Sequence, residues 1–192
     1  MIKDITAIIL AGGKNARMGQ DKSFLEFSGK PAIEIIINTL KLTFAELMII
    51  TNSQQSYLKY KVETHSDLIT DRGPLAGIYT GLSYSNSDFN FFTTCDAPFL
   101  SKEIIEHIAG KDKDYDAIVP EFNGRLQPLC ALYSKACLPA IKAALSKGEL
   151  KAQDVLSHFK VKKVPEEELK EIDREGKSFL NINTPSEYEQ FK

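Results

Sequence analysis

The stretch Leu10-Ala11-Gly12-Gly13-Lys14-Asn15-Ala16-Arg17-Met18-Gly19-Gln20-Asp21-Lys22 gathers the residue types that a bound triphosphate requires. Glycines let backbone N–H groups approach oxygen closely. Arg17 offers a planar fork of donors for phosphate, and Lys22 a compact charge able to follow an α-phosphate as negative charge builds there. The spacing excludes a Walker A loop, because Gly-Lys-Ser/Thr is missing, and also excludes the dinucleotide fingerprint. A glycine turn with surface lysines has a similar composition. Here, however, the loop follows Ile5–Leu10, a β-rich apolar run that reads as a buried strand. A loop with both Arg and Lys at the carboxyl end of such a strand points to phosphate binding.

A second chemical position is Asp96, which follows the apolar run Phe89–Thr94 and precedes Pro98. A lone carboxylate beside bound phosphates is the usual way to hold Mg²⁺, with phosphate oxygens and water completing the octahedron. The alternative is a helix N-cap. Asn52 and Asp67 end two further strand-like runs, and their donors and acceptors suit ribose hydroxyls and a base edge. Asn52 serves equally as a turn residue, and Asp71, close behind Asp67, competes with it for the nucleotide. Gly73, Pro74 and Gly77 start a helix whose free N–H groups suit an anion or a base carbonyl.

These positions need a scaffold that brings distant segments to one edge. Strands are expected at Ile5–Leu10, Leu47–Thr51, Lys61–His65, Phe89–Thr94 and Ala117–Val119. Helices are expected from Pro31, Gly73 and Ser101. This alternation predicts βαβ units, and so an α/β, single-domain, Rossmann-like three-layer α/β/α fold with a mostly parallel sheet. Beyond residue 120 the pattern loosens. Leu129–Tyr133, Val161–Val164 and Phe179–Ile182 read as strands, and Leu138–Leu145, Ala152–Phe159 and a segment from Pro185 as helices. The charged stretch Glu166–Lys177 reads as a solvated helix or loop. In open sheets of this kind ligands sit beyond the carboxyl ends of the strands. The loop after the first strand, the Asp67–Gly77 stretch and Asp96 all fall there.

Bulk properties narrow the class. The chain has 192 residues, 43% of them hydrophobic, which suits one ordinary domain over residues 1–192. The formal net charge of −2 supplies no global field for DNA or RNA, so no nucleic-acid partner is expected. No apolar run approaches the ~20 residues of a membrane span, and the N-terminus lacks a signal-peptide pattern, so the expected location is cytoplasmic and off the membrane. Cys95, Cys130 and Cys137 have no zinc spacing and read as free buried thiols. His65, His107 and His158 are scattered.

The loop L-A-G-G-x-x-x-R-M-G-x-D-K resembles the signature of the molybdenum cofactor guanylyltransferases, within the nucleotide-diphospho-sugar transferase superfamily. Gly73-Pro74-Leu75-Ala76-Gly77, Asp96-Ala97-Pro98, Gly124-Arg125-x-Gln127-Pro128-Leu129 and Asn181-Ile182-Asn183-Thr184-Pro185 continue the resemblance in family order. It implies transfer of GMP from Mg·GTP to the terminal phosphate of Mo-molybdopterin, releasing pyrophosphate. It places Leu10, Ala11, Gly12, Gly13, Lys22, Asn52, Asp67, Gly73 and Asp96 on GTP, with Asp96 on Mg²⁺ and Lys22, Arg17 and Asp96 as the catalytic set. Arg125, Gln127, Asn181 and Asn183 fall on the acceptor. The N-terminal half (about 1–100) then serves GTP and the C-terminal half (about 101–192) the acceptor. Molybdoenzymes or chaperones that receive the product are the expected protein partners. The rival readings are a cytidylyl-transferring relative, a sugar-phosphate nucleotidyltransferase, and a GTP-binding module without turnover.

Overall fold

The computed structural model describes residues 1–12 and 21–192. Its central strand, β1 (Ile2–Leu10), is buried from Ile5 onward. Ile5, Ala7 and Ile9 point into one apolar core, and Ile8 and Leu10 into another. A strand apolar on both faces has to be covered on both, and the rest of the chain supplies the covers. In order they are β2 (Glu26–Phe27), β3 (Lys30–Pro31), α1 (Ala32–Thr43), β4 (Phe44–Ile50), β5 (Glu63–His65), α2 (Gly73–Tyr84) and β6 (Phe89–Thr94). Next come α3 (Lys102–Ala109), β7 (Ala117–Phe122), β8 (Arg125–Leu126), β9 (Ala131–Ser134), α4 (Leu138–Ser146), α5 (Ala152–Val155), β10 (Val161–Val164), α6 (Glu166–Ile172) and α7 (Pro185–Phe191).

The main sheet runs β10-β7-β9-β6-β1-β4-β5, with β8 paired to β7. Pairing is parallel for β1 with β4 and β6, for β4 with β5, and for β7 with β10. β9 runs antiparallel between β6 and β7, and β8 pairs antiparallel with β7. Residues of α1, α3 and α6 fill the core on one face; residues of α2, α4 and α5 fill the other. This is the expected three-layer, mostly parallel α/β/α architecture. After β1 the chain winds outward through β4 and β5, then returns to place β6 on the opposite side of β1. That reversal of winding opens a crevice at the carboxyl end of β1.

Several local expectations are corrected. Phe179–Ile182 is not a strand. Gly176, in the left-handed region at φ 66°, starts a 3₁₀ turn over Lys177–Phe179, and residues 180–182 make isolated bonds instead of a ladder. One of those bonds is Ile182 N–H to the Asp96 carbonyl at 2.9 Å. The helix expected over Ala152–Phe159 is one α-turn, α5, followed by a 3₁₀ turn. The strand expected from Lys61 starts at Glu63, because Lys61 takes a left-handed conformation that closes the 3₁₀ segment Gln54–Tyr60. β9 starts at Ala131, after a turn closed by Cys130 N–H on the Gln127 carbonyl at 3.0 Å. Two hairpins, β2–β3 and β7–β8, are additions to the expected elements. Their turns, Ser28-Gly29 and Asn123-Gly124, have positive φ at both residues, the conformation that matches strand twist in tight hairpins.

Helix α2 packs directly on the sheet through its glycines. A Cβ on Gly81 would stand 2.9 Å from both Ile8 Cδ1 and Phe92 Cε1, inside the packed core. Gly81→Val is therefore expected to cost on the order of 3 kcal/mol through overpacking. Urea denaturation reads this as a lowered midpoint. An unchanged midpoint would mean that α2 does not need its close seat on β1 and β6.

Candidate active site

The carboxyl ends of β1, β4, β5 and β6 face the same edge, and the ladder is prolonged beyond them. Ala11 N–H donates to the Ile50 carbonyl at 2.9 Å, Cys95 N–H to the Leu10 carbonyl at 3.2 Å, and Thr51 N–H to the His65 carbonyl at 2.8 Å. The residues just past these bonds are Gly12, Asn52 and Asp96, with Asp67 a step further on. The structure thus sets these four sequence candidates on one rim.

The side chains of Leu10 and Ala11 do not face the rim. Both are buried, on opposite faces of the sheet, so only their backbone is available to a nucleotide. Leu10 packs on α2, where a Cβ on Gly77 would come within 2.9 Å of Leu10 Cδ2. A Cβ on Gly12, by contrast, meets nothing within 4 Å among the described residues. None of the described residues demands glycine there by packing or bars a ligand from the main chain. Gly13 and Arg17 lie outside the described residues. Gly73 opens α2 at φ 64°, and its N-cap residue, Arg72, makes no side-chain capping bond.

Asn52 and Asp67 form a reciprocal pair. Asn52 Nδ2 donates to Asp67 Oδ2 at 3.0 Å, and Asp67 N–H donates to Asn52 Oδ1 at 3.0 Å. This geometry singles out Asp67 as the partner of Asn52. Asp71 sits in the turn before α2, at φ 57°. Asp67 Oδ1 is a buried atom without a hydrogen-bond partner among the described residues. Burial raises the Asp67 carboxyl above its ordinary pKa, and the Asn52 bond works against that rise.

Lys22 and Asp96 meet at the centre. Lys22 Nζ stands 3.8 Å from Asp96 Oδ2 and donates to Asn183 Oδ1 at 2.6 Å. Asp96 Oδ1 accepts from Thr94 Oγ1 at 2.5 Å, which fixes the rotation of the carboxylate. Lys22 starts a 3₁₀ turn capped by Asp21, whose Oδ1 accepts from Ser23 N–H at 3.0 Å. Ser23 is fully buried and takes a 2.7 Å hydrogen bond from the buried Tyr57 hydroxyl. Sequence reasoning missed Thr94, Ser23 and Tyr57. A hydroxyl two residues before Asp96 was a readable signal. Nothing local in the sequence couples Tyr57 to Ser23.

The acceptor-side candidates divide. Gln127 and Asn181 line a cleft of about 120 Å³ with Thr94, Cys130, Ser178 and Phe179, on the flank of Asp96. Arg125, exposed on β8, does not line it, and neither does Asn183, whose amide is turned to Lys22. A larger open hollow of about 750 Å³ lies at the opposite edge, by the amino ends of β1, β4 and β6. It contains none of the candidate residues. Asp4, Glu46, Glu63 and Asp88 on its wall oppose a polyphosphate, so volume does not identify the site here.

Other chemistries lose support. Burial pushes the Cys95, Cys130 and Cys137 thiols up to about 12, so they stay protonated near neutral pH. The three histidines stand beside glutamates: His65 by Glu63, His107 by Glu168 and His158 by Glu149. No group of three or more His, Cys, Asp or Glu side chains that could hold a metal occurs among the described residues. The remaining pattern is one carboxylate, one ammonium, a glycine loop and an open helix N-terminus.

That pattern on this sheet defines a nucleotidyltransferase, and the comparisons with known proteins agree. Residues 7–164 match the MobA-like NTP transferase domain. A probable molybdenum cofactor guanylyltransferase of Natranaerobius thermophilus is 39% identical, the alignment covering 99% of this chain and 96% of that one. One of Clostridium perfringens strain SM101 is 37% identical over 98% of this chain and 96% of its own. The crystal structure of molybdopterin-guanine dinucleotide biosynthesis protein A from Archaeoglobus fulgidus superposes with a TM-score of 0.85 at 27% identity, covering 98% of this chain and 96% of that one. The chain belongs to the MobA-like NTP transferase family, in the branch of the molybdenum cofactor guanylyltransferases. No helix of the described residues is long and apolar enough to cross a membrane.

The Asn52–Asp67 pair gives a titration test. Asn52→Leu removes the hydrogen bond that lowers the Asp67 pKa while keeping water away, so that pKa should move further up. Carboxyl carbon NMR of Asp67 across the acid range checks this. An unmoved or lower pKa would show that the pairing does not stabilise the carboxylate.

Proposed function

We propose that this protein transfers GMP from GTP to the terminal phosphate of molybdopterin, forming the guanine dinucleotide and pyrophosphate. The observation that carries the proposal is the Lys22–Asp96 pair at the carboxyl end of β1, beside the open Gly12 backbone. Names borne by full-length relatives support the choice of both substrates.

An acceptor phosphate is already an anion near neutral pH, so it needs no base to remove a proton. Its oxygen attacks the α-phosphorus of GTP. A new phosphorus–oxygen bond forms as the bond to the bridging β-phosphate oxygen breaks, and pyrophosphate leaves with the electron pair. The chain's task is then alignment and charge neutralisation. Lys22 balances the charge that grows on the α-phosphate. Arg17 is assigned to the departing pyrophosphate. Gly12, Gly13 and the backbone of Leu10 and Ala11 approach the nucleotide, and Asn52, Asp67 and the α2 N-terminus at Gly73 hold its ribose and base. Gln127 and Asn181 provide amide donors and acceptors for the edges of a pterin in the cleft beside Thr94. Arg125 and Asn183 flank that cleft on the acceptor side of the reading. The N-terminal half thus serves the donor and the C-terminal half the acceptor.

The donor set fits Mg²⁺. Asp96 is a single carboxylate oriented by Thr94, and an ion that keeps several waters and takes phosphate oxygens asks little more of the protein. Bound there, Mg²⁺ supplies Lewis-acid charge to the phosphates.

Incubation with Mg·GTP and extracted molybdopterin, followed by mass analysis, should yield the guanine dinucleotide with one pyrophosphate per product. Absence of that product while pyrophosphate is released would point to another acceptor. Equal incorporation from labelled CTP would remove the guanine assignment. Asp96→Asn should keep the fold and lower turnover at least about a hundredfold, since metal charge in such sites is worth several kcal/mol. A near-normal rate at saturating Mg²⁺ would remove Asp96 from the metal.

A further inference from the structure

We infer that Asn183 is a positioning residue for Lys22, acting on the nucleotide through that amine and not only on the acceptor. The inference rests on the guanylyl-transfer reading above. Lys22 Nζ donates to Asn183 Oδ1 at 2.6 Å, across 161 positions of sequence, and stays 3.8 Å from Asp96 Oδ2. The longer distance exceeds a hydrogen bond, so the amine's short contact is with a neutral carbonyl although a carboxylate is at hand.

The chemistry gives a reason for that preference. A lysine closed onto Asp96 would cancel the negative charge needed by the metal and give up its own charge to a partner other than phosphate. A neutral acceptor holds the ammonium in place and leaves both charges available. An ammonium has three N–H donors, so one stays on the Asn183 carbonyl and fixes the amine while the others remain for anionic oxygens when phosphate arrives.

The surroundings of Asn183 hold it to this task. Its Nδ2 donates to the Asn181 carbonyl at 3.3 Å, which turns Oδ1 to the lysine. The Asn183 and Thr184 N–H groups both donate to Glu187 Oε2, at 2.8 and 2.9 Å, within the capping box of α7. The adjacent Ile182 is buried and donates its N–H to the Asp96 carbonyl at 2.9 Å. Helix α7 also packs onto the β2–β3 hairpin just past Lys22, with Tyr188 and Phe27 rings 5.4 Å apart and the Tyr188 hydroxyl on the Glu26 carbonyl at 3.1 Å. The C-terminal segment is therefore fastened to both residues whose separation it sets.

A double-mutant cycle on the full chain tests this, using Asn183→Leu, Lys22→Ala and the two combined. Calorimetry reads Mg·GTP affinity without acceptor, and turnover is read at saturating GTP and molybdopterin. Asn183→Leu alone should lower kcat about tenfold, the scale of a lost hydrogen bond to a charged group, and should also weaken Mg·GTP. In the Lys22→Ala background it should change neither. Multiplying losses, or a loss confined to acceptor KM, would overturn the inference, as would equal effects in both backgrounds from a general loosening of α7. Wild-type protein that binds Mg·GTP without forming dinucleotide would defeat the guanylyl-transfer reading. The binding arm of the cycle still decides the role of Asn183 in that case.

Discussion

The site depends on hydrogen bonds that continue the parallel ladder past the last residue of β1. Ala11 N–H on the Ile50 carbonyl and Cys95 N–H on the Leu10 carbonyl fasten the ends of β4 and β6 to the start of the glycine loop. Parallel strands carry their ends to one edge, but only a continued ladder sets them level. Asn52, Gly12 and Asp96 are level because each comes directly after such a bond. The same bonds explain the burial of Leu10 and Ala11. Their side chains, buried on opposite faces of the sheet, anchor the chain just before Gly12.

A second constraint is electrostatic. On the proposed reaction the rim carries a carboxylate that must stay anionic and an ammonium that must stay available, only a few ångströms apart. Direct contact between them would satisfy both and serve neither. Each instead makes its short hydrogen bond to a neutral group, Asp96 Oδ1 to Thr94 and the Lys22 amine to Asn183, while the two charges stay 3.8 Å apart. A chain with a net charge of −2 can in this way receive a polyanion, because the charges that matter are local and arranged.

How far the fold and site are legible in the sequence depends on the range of the interactions that fix each part. The Ile5–Leu10 and Phe89–Thr94 runs, buried on both faces, could hardly be anything but central strands, and the alternation with helices up to residue 120 leaves one architecture. Gly12, Asn52, Asp67 and Asp96 could be singled out because each sits at or near the end of a strand-like run, and Lys22 because it closes the glycine-containing motif that follows the first of them. Phe179–Ile182 imitates a strand because its apolar residues fill cores beside α7 and the β2–β3 hairpin without a strand to pair with. The β7–β8 hairpin carries a strong local mark in Asn123-Gly124, although the strand it forms is only two residues long. Tyr57 on Ser23 and Asn183 on Lys22 have no local mark, since such pairings exist only once the chain is folded.

The same dependence on range governs how the two halves of the chain cooperate. If each half bound one substrate independently, the C-terminal segment would need contact only with the acceptor cleft. Asn181 does line that cleft, yet Ile182 bonds to the backbone of Asp96 and Asn183 to the side chain of Lys22. Three consecutive residues thus touch the cleft beside Thr94, the backbone of Asp96 and the amine of Lys22. A short, irregular segment anchored by the α7 capping box can serve all three at once, whereas a strand with its carbonyls and N–H groups spent on a ladder could not.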